Sequence, residues 1–107
     1  MKKLSLHISP CPNDTFAFDA IINNRIAHDF ELQVEYKDIE ELNLGVLEGS
    51  PDISKISYSV YPKIADRYIL LDSGSALGRG NGQLLVRRKG DSGEIKTVAS
   101  PGVHTTA

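Results

Sequence analysis

Strand and helix periodicities alternate along the first part of this chain, and that alternation leaves few folds open to it. In "KLSLHIS", Lys3 to Ser9, the apolar residues Leu4, Leu6 and Ile8 alternate with Ser5 and His7, the period of a β-strand. "PCPND" breaks the run, and Asn13 or Asp14 can cap a helix begun there. The next segment, roughly Thr15 to Asn24, pairs Phe16 with Ala20 and Phe18 with Ile22 at the four-residue spacing of a helix. "ELQVEY", Glu31 to Tyr36, alternates again. "DIEELNLGVLEG" then sets Ile39, Leu42 and Val46 on one helical face. It opens with a capping box, in which Asp38 accepts from the backbone N–H of Glu41 and Glu41 reaches back, and it stops at Gly49. "DISKISY" predicts a third strand with Ile53 and Ile56 buried. A short helix comes next, with Pro62 near its first turn and Val60, Ile64 and Ala65 facing inward. "YILLDSGSA", "GQLLVRR" and "TVAS" predict a fourth, fifth and sixth strand. Alternation of this kind implies an α/β domain: a mainly parallel sheet with flanking helices and right-handed crossovers.

At 107 residues the chain has room for one small domain. Apolar residues make up 40% and charged ones 24%, which sets it apart from disordered and membrane sequences. A formal net charge of -2 argues against a nucleic-acid partner. The short basic run Arg87-Arg88-Lys89 reads as a solvated strand end, and "KGDSGE", Lys89 to Glu94, as a surface turn. The single cysteine, Cys11, rules out an intrachain disulfide and fits a reducing compartment. "MKKLSLHISP" has too short an apolar run for a signal peptide, and no stretch reaches the ~20 apolar residues of a membrane span. The expectation is a cytoplasmic protein with no membrane partner.

The glycines of "GSALGRGNG" lack the Gly-Lys-Ser/Thr ending of a phosphate loop and do not come after the first strand, so a turn with positive φ angles is preferred over a nucleotide site. Cys11 with His7 admits a nucleophilic pair, but a small buried thiol is the simpler account. His7, His28 and His104 are too widely spaced for a metal site. In α/β sheets the loops at the carboxyl ends of strands face the ligand crevice. Asn13 and Asp14 are therefore caps, site residues, or both. In "SKIS", Lys55 and Ser57 share one face of the third strand. A lysine in a central strand needs a partner, and it reaches either an anion at the strand's end or, on an edge strand, water. "SPGVHTTA" is the sharpest signal. It reads as a Pro-Gly turn and a helix start, where unpaired N–H groups attract anions and His104, Thr105 and Thr106 add donors. A simple threonine cap is the alternative.

Together "SPCPNDTFAF", "DIEELN", "SKISY", "DRYILLDSGSALGRGNG" and "PGVHTTA" resemble the 1,4-dihydroxy-6-naphthoate synthase family of the futalosine route to menaquinone, in unbroken order over essentially the whole chain. One departure is Val103, which stands where the family's second motif has arginine. The resemblance implies a fold like the type II periplasmic binding proteins, two α/β lobes closing on the substrate. It implies a carbon–carbon lyase that splits cyclic dehypoxanthinyl futalosine to release 1,4-dihydroxy-6-naphthoate, without metal or organic cofactor. It also implies substrate contacts at Lys55, Ile56 and Ser57, at Thr105, Thr106 and Ala107, and at Asn43, a position that periodicity alone assigns to a helix surface.

Family members are more than twice this length, and their general-base histidine lies in the second lobe. His104 is not that base. Residues 1–107 are therefore expected to form an N-terminal substrate-binding lobe, truncated, with no catalytic residue of its own. The second lobe and the returning C-terminal segment would lie elsewhere, and exposed edges or the uncovered cleft face would favour self-association. The alternative is a stand-alone α/β module that binds a small anion or carboxylate without chemistry. A transporter-type receptor shares the fold, but the lack of a signal peptide argues against it.

Overall fold

The computed structural model describes residues 1–105. Three strands, β1 (Lys2–Ile8), β2 (Phe30–Tyr36) and β3 (Ile53–Ser54), form a parallel sheet in the order β2-β1-β3. Between them lie α1 (Pro12–Ile22) and α2 (Ile39–Glu48). A 3-10 turn, Tyr58–Val60, and the short α3 (Tyr61–Ile64) come after β3. The expected α/β class with a parallel sheet is what the chain adopts. β1 pairs with β2 from Lys2 opposite Phe30 to Ile8 opposite Tyr36, and with β3 through Leu6–Ile53 and His7–Ser54. In a parallel sheet the crossover helices cover the faces, and the central strand is the most fully buried. Leu6, His7, Ile8 and Ser9 are all buried, so the polar half of the β1 alternation lies inside with the apolar half.

α2 forms as its sequence implies. Asp38 accepts from the Glu41 backbone N–H at 3.0 Å, and Gly49 ends the helix in the left-handed region at φ 76°. Leu42 and Val46 are fully buried, and Val46 joins Val60 and Ile64 in the core. α1 differs from expectation. It begins at Pro12 rather than Thr15 and ends at Ile22, with Cys11 in the cap position in place of Asn13 or Asp14. Proline fits the first helical turn because the N–H it lacks has no partner there. Phe16 is exposed, Ala65 is exposed, and Ile53 and Ile56 are only half-buried.

The third strand is shorter than predicted because the chain turns at Ser57 into the 3-10 turn. The predicted fourth, fifth and sixth strands are absent among the described residues, which hold no helix or strand after Ile64. A strand persists only where its backbone groups meet a neighbour and one face is covered. Here Ile69, Leu71, Leu84, Val86 and Val98 are exposed instead. The radius of gyration is 16.9 Å, against about 13 Å for a compact chain of this length. "KGDSGE" does form a turn, with Asp91 N–H donating to Arg88 O at 3.1 Å. Gly74 and Gly80 take the positive φ expected of a glycine-rich turn. Among the described residues no helix is long and apolar enough to cross a membrane.

Candidate functional site

The strand order fixes where a ligand can enter. The chain leaves β1 for β2 on one side, then returns past β1 to β3 on the other. Right-handed crossovers put α1 and α2 on opposite faces of such a sheet, so the loops after β1 and β3 part and leave a crevice at the carboxyl ends. Both predicted segments, "SPCPND" and "SKIS", border that crevice. The Lys55 backbone N–H donates to His7 O at 2.9 Å, the last rung before the two loops separate.

On the β1 side, Asp14 sits in the first turn of α1 and is buried. Its Oδ2 accepts from the Ser9 backbone N–H at 3.0 Å and from Ser9 Oγ at 2.8 Å, and its Oδ1 accepts from Lys55 Nζ at 2.9 Å. Burial raises the Asp14 pKa, but the bonds from Lys55 and Ser9 outweigh it and hold the carboxyl below its ordinary value. Asp14 is thus neither a helix cap nor a free ligand group; it holds Lys55. The Lys55 side chain is 36% exposed, and Asp14 takes one of the three ammonium donors. Asn13 is exposed, outside this network.

On the β3 side, Asn43 of α2 is fully buried, not a surface residue. Its Nδ2 donates to Ser57 Oγ at 3.0 Å and to His104 O at 3.2 Å, while its Oδ1 accepts from the Ser57 backbone N–H at 3.0 Å. The amide therefore ties the segment after β3 to the chain near residue 104. Ile56, between Lys55 and Ser57, packs on the Val46–Val60–Ile64 core. His104 donates its backbone N–H to Glu40 Oε2 at 3.1 Å, and its ring Nδ1 bonds Glu40 Oε1. The ring bond holds the Glu40 carboxyl below its ordinary value, against the desolvation that raises it. Thr105 is half-buried beside this junction. Residues 101–105 run through bends and not a helix start, and Thr106 and Ala107 lie outside the described residues.

Lys55, Ser57, Asn43 and Asp14 are thus brought together, with Thr105 adjoining. Sequence reasoning missed Ser9, Glu40 and Ser59, whose Oγ also donates to His104 O at 3.2 Å. One signal for Glu40 was present: it stands three residues before Asn43 and so shares its face of α2. The arrangement offers the Lys55 ammonium at the crevice, chemistry suited to an anionic ligand, while the buried Asn43 amide is spent on Ser57 and His104 and serves to hold them. Of the ionisable groups near the crevice, Asp14 and His104 are engaged, whereas His7 is buried with its Nδ1 lacking a hydrogen-bond partner among the described residues. Asp14 is ion-paired, His104 is bonded to Glu40, and burial, with Lys37 nearby, lowers the pKa of inward-facing His7 against the pull of Glu35. Among the described residues no group of three or more His, Cys, Asp or Glu is placed to hold a metal ion. A cavity of about 820 Å³ lies between residues 83–87 and 94–101, bordered by the unpaired apolar segments and lined by none of Asp14, Asn43, Lys55 or Ser57.

The model of a family described as menaquinone biosynthesis matches residues 4–107. A protein of Thermus thermophilus named 1,4-dihydroxy-6-naphtoate synthase is 46% identical over 108 residues, covering 100% of this chain and 40% of that protein. A protein of the same name from Streptomyces coelicolor is 42% identical over 105 residues, covering 97% of this chain and 37% of its own length. The chain therefore spans about two-fifths of the length of these relatives.

Proposed function

Because the chain belongs to the menaquinone-biosynthesis family, we propose that it is the N-terminal substrate-binding lobe of a 1,4-dihydroxy-6-naphthoate synthase, a lyase acting on cyclic dehypoxanthinyl futalosine. In this reading the sheet and its two crossover helices are one lobe of a fold like the type II periplasmic binding proteins. Lys55 pairs with an anionic group of the substrate. Ser57 and the Thr105–Ala107 segment supply hydrogen bonds, and Asn43 holds those two segments together. The general-base histidine and the second lobe belong to sequence beyond residue 107, and the enzyme works in the cytoplasm. The observation that carries the reading is the Asp14–Lys55 pair at the point where the strand order reverses, 2.9 Å across and open on its ammonium side.

The engagement of Asp14 and His104 favours a second reading, in which the chain is a stand-alone α/β module that binds a small anion or carboxylate at Lys55 without chemistry. Kinetics on the intact gene product separate the two. Wild type is expected to consume cyclic dehypoxanthinyl futalosine, and Lys55→Ala to lose about tenfold or more in kcat/KM, the size of a charge-assisted hydrogen bond. Carboxylate binding with no turnover by the wild type would favour the module.

A further inference from the structure

We propose that Glu40 is a positioning residue, which from the first turn of α2 fixes the backbone at His104 and so sets how Thr105 is presented to the substrate. This rests on the substrate-binding reading above. The inference comes from how completely one residue is held. The N–H of His104 donates to Glu40 Oε2 at 3.1 Å. Its C=O accepts from Asn43 Nδ2 at 3.2 Å and from Ser59 Oγ at 3.2 Å. Its ring Nδ1 bonds the other oxygen of Glu40; a carboxylate only accepts, so Nδ1 carries the proton. A residue tied at both backbone groups and at its side chain cannot pivot.

The approach of the loop is shaped to the same carboxylate. Gly102 has φ 148°, and a Cβ there would overlap the Glu40 carboxylate and come within 2.9 Å of Glu40 Cβ. Glu40 and Asn43 lie three apart on α2, so one turn of one helix grips both backbone groups of His104. A glutamate that served only the helix dipole would project from the first turn without bonding a segment 64 residues away. In this arrangement His104 has the role of an anchor.

The test uses the intact gene product as wild type, Glu40→Ala, Glu40→Gln and Lys55→Ala. Steady-state kinetics with cyclic dehypoxanthinyl futalosine are measured beside amide hydrogen exchange at residues 102–105. Glu40→Ala is expected to speed exchange at His104 at least about tenfold and to raise KM about tenfold, with kcat within about twofold of wild type. Glu40→Gln, which keeps acceptor oxygen, is expected to restore part of both. Unchanged exchange, or unchanged KM in Glu40→Ala while Lys55→Ala loses substrate affinity, overturns the inference. No effect of Lys55→Ala on KM overturns the substrate-binding reading instead, and the exchange rates still judge whether Glu40 fixes His104.

Discussion

Asp14 shows how far a single side chain could be read before its neighbours were known. Its sequence context offered a helix cap or a site residue, and it is a buried carboxylate that receives three hydrogen bonds. The sequence could not disclose this because two of the bonds come from Ser9 across the Pro10–Cys11 turn and the third from Lys55, 41 residues on. Asn43 was hidden for a similar reason. Helical periodicity sorts residues by polarity, and a buried amide with three partners breaks that rule without penalty. Asp14 also sets a pH signature. Its folded pKa lies below the unfolded value, so its stabilisation is present above about pH 4 and is lost as pH falls through the folded pKa. Asp14→Asn is expected to be about 1–3 kcal/mol less stable at pH 7 and to lose less on acidification. Urea midpoints between pH 2 and 7 check this, and parallel acid curves for the two proteins would refute it.

At the scale of elements, legibility tracked local physics. α2 was read almost residue by residue because its start, its face and its stop are each encoded within a few positions. Asp38 caps it and Gly49 closes it at a φ that side-chain-bearing residues rarely adopt. A Cβ at Gly49 would also approach Arg67 Nη1 at 3.1 Å. Asp38→Ala and Gly49→Ala are each expected to cost about 1 kcal/mol, measured as a lower denaturation midpoint at unchanged slope; a shift in neither would mean that tertiary packing alone holds the helix. The predicted strands Tyr68–Ala76, Gly82–Arg88 and Thr97–Ser100 failed for the converse reason. Their composition is right for strands, but pairing is a property of partners, and within the described residues these segments do not join the outer edges of β2 or β3, the two sides of the sheet left open.

Across the whole molecule, the two halves differ in kind. Residues 1–64 hold every regular element among the described residues, whereas the later segments leave Ile69 at 88%, Leu84 at 85% and Val86 at 81% exposed, and the molecule's long axis is 59 Å. Apolar surface of this sort seeks cover. Residues 1–107 prepared alone are expected to self-associate at micromolar concentration and to enhance the fluorescence of an apolar-surface dye. A monodisperse monomer by light scattering, with no dye response, would count against it. The long reach from α2 to His104 has a consequence in time. Asn43 precedes His104 by 61 positions, and a ribosome adds about 5–20 residues each second, so about 3–12 s of synthesis separate them. Ser57 arrives early and makes two of the amide's three bonds, but the contact to His104 must wait. The nascent chain thus carries the Asp14–Lys55 pair and the Asn43–Ser57 bonds before it carries the anchor, and the join at His104 closes only after both of its holders on α2 have been made.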